Sequence, residues 1–164
     1  MGNKVIINGQ QFEASSISMP ESGRLFRSAW DTPKNGVIQL DIEKVGEMCH
    51  DARRRWRDHQ ESQPFKYGSD TFDSDEKSLA RIERISNMAA KGLTLPKSFT
   101  SASGKEVEVT AEWLDGLYVA SIQHTVDVHE ENKKRKDEID KAVNAEDMKT
   151  LQSLFEEMKD VVGE

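Results

Sequence analysis

The fold is decided by two neighbouring stretches, FKYGSDTFDSDEKSLARIERISNMAAKG (residues 65–92) and KSFTSASGKEVEVTAEWLDGLYVASIQHTVDVHEENKKRKDEIDKAV (residues 97–143). Each begins with two short arms around a glycine-containing turn and continues into apolar residues spaced three or four apart. The first pattern is typical of a β-hairpin and the second of an amphipathic helix. The two stretches therefore predict an α+β protein with two small hairpins at helix starts.

The first stretch predicts a hairpin held by aromatic side chains. Phe65 and Tyr67 face Phe72 across the turn GSD. Asp73 and Glu76 then form the pattern D-x-x-E of a capping box, in which side chains satisfy the free N–H groups of a helix start. The predicted helix ends at Gly92 and carries on one side Leu79, Ile82, Ile85, Met88 and Ala89.

The second stretch predicts an unusually long helix. Thr110 is the expected N-cap, and a helix over about 30 residues would extend for roughly 45 Å. The first half has enough apolar residues to enter a core, namely Trp113, Leu114, Leu117, Tyr118, Ile122, Val126 and Val128. The second half, EENKKRKDEIDK, is almost entirely charged. We expect it to form a helical arm that projects into solvent or pairs weakly with a neighbour.

The flanking sequence divides into a β-rich segment over residues 1–40 and a helix and hairpin domain over residues 41–164. KVIINGQQFE predicts a hairpin around Asn8 and Gly9, a polar connector covers residues 15–23, and RLFRSAW and VIQLDI predict two more strands. A helix capped by Asp41 should end near Gln63, before Pro64. A last helix follows Asn144 and should pack antiparallel on the long helix through Met148, Leu151, Leu154, Phe155, Met158 and Val161.

Composition favours a protein partner. The net charge of −7 and the pI near 5.2 oppose binding to nucleic acid or to an anionic membrane. Only 35% of the residues are hydrophobic, which is low for a globular domain and suggests burial against further copies or other proteins. The single Cys49 excludes an intramolecular disulfide and suits synthesis in a reducing cytoplasm. No apolar stretch is long enough to span a membrane.

Catalytic and metal-binding patterns are weak. Neither His50 and His59 nor His124 and His129 share a helix face, as a zinc-binding pair would. Cys49 and His50 diverge by roughly 100° on a helix, which prevents a hydrogen bond between the thiol and the imidazole. The acidic residues Asp70, Asp73, Asp75 and Glu76 resemble a calcium loop only loosely, and helix capping explains Asp73 and Glu76 without an ion. We predict a protein that is not an enzyme and has no cofactor or metal site.

One candidate interface combines a basic helix end with an apolar helix face. Arginines 53, 54, 55 and 57 flank Trp56 in the sequence. On a helix they point in nearly all directions, so we favour the interpretation of a solvated helix end. If the segment is functional, it binds protein rather than nucleic acid. The candidate interface residues are Arg53, Arg54, Trp56, Arg57, Leu151, Leu154, Phe155 and Met158.

Residues 51–151 resemble a domain of unknown function that recurs in tail and tail-fibre proteins of tailed bacteriophages. The similar segments are DARRRWRD, FKYGSDTFDSDEKSLARI, EVEVTAEWLDGLYVASIQHT and VDVHEENKKRKDEIDKA, in that order. The resemblance implies a phage tail context and brings no catalytic residue or cofactor.

We therefore expect a non-enzymatic structural component of a bacteriophage tail, near the baseplate or the fibre attachment. Made in the host cytoplasm, it would remain in the virion tail as a homo-oligomer and contact other tail or fibre proteins, and neither nucleic acid nor membrane. One alternative is a tail-fibre assembly chaperone that is absent from the mature virion. Another is a small intracellular enzyme or regulator with an unrecognised site.

Overall fold

The computed structural model describes residues 2–15 and 19–162. The chain forms two compact units, of which the first consists of Met1–Trp56 and Asn132–Glu164 and the second of Arg57–Glu131. The predicted segment boundary at residue 40 lies inside the first unit. Residues 16–18 of the predicted connector lie outside the described residues.

The predicted α+β class is confirmed. The strands are β1 (Lys4–Ile7), β2 (Gln10–Glu13), β3 (Val37–Gln39), β4 (Phe65–Tyr67), β5 (Asp70–Phe72), β6 (Ser98–Thr100) and β7 (Glu106–Glu108). The helices are α1 (Glu21–Leu25), α2 (Ile42–Ser62), α3 (Glu76–Ala90), α4 (Ala111–Asn144) and α5 (Met148–Val162), with a 3₁₀ turn at Arg27–Ala29. Both α2 and α4 contribute residues to both units.

The sheet of the first unit has the order β2-β1-β3. The predicted hairpin forms, because Asn8 and Gly9 adopt the positive φ angles of 50° and 76° that a two-residue turn needs. β3 pairs parallel to β1. The prediction that RLFRSAW is a strand is wrong: it lies in α1 and the 3₁₀ turn. This conformation buries Phe26 and Ala29 completely.

A helical core forms the rest of the first unit. It contains α2, the second half of α4 and α5, and its buried residues include Val45, Cys49, Ala52, Trp56, Ile139, Ala142, Met148, Leu151 and Met158. Two arrangements are predicted for the second half of α4, projection into solvent or weak pairing with a neighbour. The first is wrong, because one face of this segment is buried. Asn132, Ile139 and Ala142 are buried, because steps of seven and three residues place them on one face of the helix.

The second unit contains both hairpins and an aromatic cluster. Phe65 pairs with Phe72 as predicted. The ring centroids of Phe72 and Trp113 lie 5.6 Å apart. Ile82 of α3 and Leu114 and Leu117 of α4 complete the core. The predicted Thr110 cap is confirmed, since its Oγ1 accepts a hydrogen bond from the N–H of Trp113 at 3.1 Å.

The predicted capping box at Asp73 is wrong by two residues. The cap of α3 is Asp75, which accepts a hydrogen bond from the N–H of Ser78 at 3.1 Å. Ser74 explains the shift, because its hydroxyl lies 2.6 Å from the carbonyl oxygens of both Glu61 and Gln63. These contacts hold residue 74 against the end of α2, so the helix begins after it.

We predict that the thiol of Cys49 is unreactive in the folded protein. It is fully buried and donates to the carbonyl oxygen of Leu151 at 3.5 Å, and burial raises its pKa from the ordinary 9.0 to about 12. Because the thiolate is the reactive form, alkylation at about pH 8 should be at least about 100-fold slower than in urea, as followed by mass spectrometry.

The same pKa shift predicts a pH dependence of stability. The folded pKa lies above the unfolded value, so the contribution of Cys49 to the free energy of unfolding is complete below pH 9.0 and is lost as the pH rises towards 12. The Cys49→Ala variant should lack this part of the alkaline decline. Equal alkylation rates with and without urea would contradict both expectations.

We predict that Gly116→Ala destabilises the second unit. A Cβ at this position would lie 2.0 Å from Oη and 2.8 Å from Cζ of Tyr67. The cost of this overlap, about 1–3 kcal/mol, should outweigh the gain of about 1 kcal/mol in helix propensity. Urea unfolding would measure the change. Removing the hydroxyl with Tyr67→Phe should recover part of it, and equal effects of Gly116→Ala in the two backgrounds would refute the steric explanation.

Candidate functional site

The predicted interface residues do not form a free surface. Five of them are buried in the first unit, namely Arg53, Trp56, Leu151, Leu154 and Met158. Phe155 packs edge-on against Phe26 with 5.1 Å between the ring centroids. Arg54 is exposed and Arg57 is partly exposed. These residues therefore serve mainly the core of the unit.

Arg53 belongs to a buried polar network rather than to a solvated helix end. Its side chain donates one hydrogen bond to Oδ1 of Asn132 at 2.6 Å and another to Nδ1 of His50 at 3.3 Å. Nε2 of His50 lies 2.9 Å from a carboxylate oxygen of Asp140. Because Nδ1 accepts from Arg53, Nε2 carries the proton that bonds to Asp140. The network joins α2 to the charged half of α4 inside the first unit.

Asp140 is the acidic end of this network. Hydrogen bonds from Lys136 and then from His50 hold the pKa of its carboxyl below the usual range, against partial burial. Lys136 and Asp140 also form an i,i+4 ion pair at 2.9 Å. Arg135 lies on the same helix, with its guanidinium 4.5 Å from the ring centroid of Trp56. These interactions indicate a structural role for the charged segment.

An apolar stripe lies exposed on α4 in the second unit. It consists of Val119, Ile122 and Val126, whose exposed fractions are 57%, 46% and 45%. The prediction that Ile122 and Val126 enter the core is wrong. Val126 follows the fully buried Leu117 by nine residues, which is about 180° around the helix. The stripe therefore lies on the face opposite the core.

A groove of about 760 Å³ adjoins the stripe and shares Ile122 with it. We call it the acidic groove. It is lined by Asp58, Glu61, Ser62, Ser74, Asp75, Glu76, Leu79, Ala80, Glu83, Tyr118, Ser121, Ile122 and Thr125. All of these residues belong to the second unit. Five of the lining side chains are acidic and none is Lys or Arg.

Two of the five groove carboxylates already have partners within the unit. Asp58 pairs with Arg57 at 2.7 Å. Asp75 caps α3, and hydrogen bonds from the Ser78 hydroxyl and N–H lower the pKa of its carboxyl. Within the described part of the chain, no ion pair engages Glu61, Glu76 or Glu83. The pKa of the Arg57 guanidinium is raised first by its hydrogen bond to Asp58 and also by the charge of Glu61, so Arg57 partly balances Glu61. Glu76 and Glu83 are exposed carboxylates that no Lys or Arg of the groove lining balances.

His124 and Cys49 both lie in packed parts of their units. His124 stacks on Phe65 with 6.0 Å between the ring centroids, and Cys49 is buried. Among the residues that the structure describes, no three His, Cys, Asp or Glu side chains are grouped so that they could hold a metal ion. Over the same residues, no helix is long and apolar enough to cross a membrane.

A family model described as a domain of unknown function, DUF4376, matches residues 50–152. The chain belongs to the DUF4376 family. The match contains the whole second unit, with the acidic groove and the apolar stripe, and extends into α5 of the first. No curated protein and no solved structure matches the chain.

The stripe and the groove of this DUF4376 domain were missed by the sequence analysis. A helical projection of α4 could have separated the stripe from the face of Leu114 and Leu117, since the spacing alone distinguishes them. The groove was harder to find, because its acids lie on α2, on α3 and at the Asp75 cap. Only the tertiary structure brings those segments together.

We predict that Arg53→Leu and Arg54→Leu differ strongly in stability. The first leaves the buried Asn132 without its donor and should lower the free energy of unfolding by about 2–4 kcal/mol. The second removes only a surface ion pair with Asp51, worth about 0.5 kcal/mol or less. Urea unfolding of both variants would measure this. Equal effects would show that the Arg53 network contributes little, and Asn132→Leu should partly rescue Arg53→Leu.

Proposed function

We propose that the protein is a non-enzymatic structural component of a bacteriophage tail that acts through contacts with other tail or fibre proteins. The observation that carries the binding role is the apolar stripe beside the acidic groove. Single exposed apolar residues are common on protein surfaces. Three on one helix face, beside a groove and opposite the core, are typical of an interaction surface.

The energy available from the stripe fits a contact within a larger assembly. Each of the three side chains is about half exposed, so burial by a partner would contribute about 1 kcal/mol each. A total of about 3 kcal/mol corresponds to a dissociation constant weaker than about 1 mM. The stripe alone cannot hold a partner, so groove contacts or several copies are needed.

The phage tail context is supported by the resemblance over residues 51–151. Its segments follow one another through the end of α2, the first hairpin, and α4. The DUF4376 family carries no functional description of its own. The proposed place is the baseplate or the region of fibre attachment, after synthesis in the host cytoplasm.

We predict that the chain is found in purified virions of the phage that encodes it. Quantitative mass spectrometry should find it at a fixed ratio to the other tail proteins. Presence in infected cells with absence from virions would replace the structural role by that of a departing assembly chaperone. An origin outside any phage or prophage genome would refute the tail assignment altogether.

A further inference from the structure

We propose that the acidic groove binds a basic amphipathic helix of another protein, which also covers the near edge of the apolar stripe at Ile122 and Val126. This inference rests on the proposed function and names the chemistry of the partner. The groove offers three properties that select such an occupant: its shape between helices, its unbalanced carboxylates and its apolar border.

The shape favours a helix as the occupant. The α3 residues in the groove are Glu76, Leu79, Ala80 and Glu83, and the α4 residues are Tyr118, Ser121, Ile122 and Thr125. Both sets follow the steps i, i+3, i+4 and i+7, so each is one face of a helix over two turns. Two such faces, with the end of α2, provide ridges between which a third helix can pack. The contact would extend for roughly 10 Å, or two turns of the occupant.

The charge requires a basic occupant. Glu61 lies at the end of α2, and Glu76 and Glu83 lie two turns apart on one face of α3. All three carboxylates are exposed, and no Lys or Arg lines the groove. A helix with Lys or Arg beside its apolar face would place cations near these acids while its apolar residues cover Leu79 and Ile122. An acidic helix would be repelled.

The charge also argues against a second copy of the chain. Each copy has a net charge of −7, so two copies repel each other before contact. A phosphate-rich occupant such as nucleic acid or an anionic membrane meets the same repulsion. A basic segment of a different protein is the occupant that the electrostatics favour.

The test uses the full chain and a labelled synthetic peptide of about 18 residues. The peptide has Leu at positions that repeat with helical spacing and Lys elsewhere. Two control peptides have the same composition with Leu and Lys in alternation, or Glu in place of Lys. We expect fluorescence anisotropy to show binding in the range of about 10–100 µM for the helical Leu/Lys peptide at low salt. Each control peptide should bind at least about tenfold more weakly.

Matched variants locate the binding. The triple variant Glu61→Gln, Glu76→Gln, Glu83→Gln should weaken the affinity about tenfold and flatten its salt dependence. The control triple Glu13→Gln, Glu47→Gln, Glu130→Gln removes the same charge from exposed positions outside the groove and should change the affinity less than about twofold. Ile122→Ser with Val126→Ser should weaken it about fivefold, with helical circular dichroism confirming that each variant is folded.

Three outcomes would overturn the proposal. Equal losses in the groove triple and the control triple would show attraction by net charge alone. Equal binding of the helical and alternating peptides would exclude recognition of a helix. A dimer detected by sedimentation without peptide, and altered by the groove triple, would make a second copy the occupant. None of these depends on finding the chain in virions, so a wrong partner chemistry and a wrong tail assignment can be told apart.

Discussion

The hydrogen bond between Arg53 and Asn132 determines how the charged half of α4 packs in the first unit. Both side chains are buried, with exposed fractions of 7% and 8%, and they meet at 2.6 Å. A buried guanidinium without an acceptor would be costly, so this contact fixes which face of the charged segment turns towards α2. Ile139 and Ala142 follow Asn132 by seven and ten residues and fall on the same face. Ile139 and Ala142, with the partly buried Val143, then join this segment to the core.

In the second unit, the same kind of periodicity leaves apolar residues exposed on the opposite face of α4. Leu114, Leu117, Ser121 and Val128 are buried. They follow one another at steps of three, four and seven residues and share one side of this part of the helix. The apolar stripe lies outside that side. The side chains of Val119, Ile122 and Val126 are only about half buried by folding, so about half of their apolar surface remains in contact with solvent.

Local features of the fold could be predicted from the sequence. Asn8 and Gly9 specify a hairpin turn by themselves, and Thr110 caps a helix with its own hydroxyl, so neither depends on distant residues. The predictions that were wrong depended on contacts with other segments of the chain. Asp73 and Asp75 both suit a helix start, and the choice between them depends on Ser74 binding the end of α2. Four arginines in five residues look alike until Asn132, 79 residues away along the chain from Arg53, accepts from one of them.

The candidate surface illustrates the same limit. The spacing of residues in α4 separates the stripe from the core face. A count of the apolar residues in the first half of the helix does not make this distinction. The groove cannot be found in this way, because a carboxylate on α2 acquires a role only beside others on α3. Residues that pack in a core recur with an apolar periodicity in the sequence. The acidic residues that line this groove are instead dispersed over separate segments of the chain. The role of these carboxylates can therefore be interpreted only once the fold shows which of them lie together.

In the proposed complex, the apolar stripe and the acidic groove contribute differently to binding energy and selectivity, for a physical reason. Apolar contact gives binding energy with little selectivity, since many hydrophobic faces could cover Ile122. Carboxylates add less net energy in water but repel acidic competitors and speed the approach of a basic partner. A surface of this kind binds weakly and selectively. Weak contacts can dissociate when a subunit is misplaced, and their effect multiplies once several copies are held side by side. Such a surface suits a protein that takes its place in an ordered assembly.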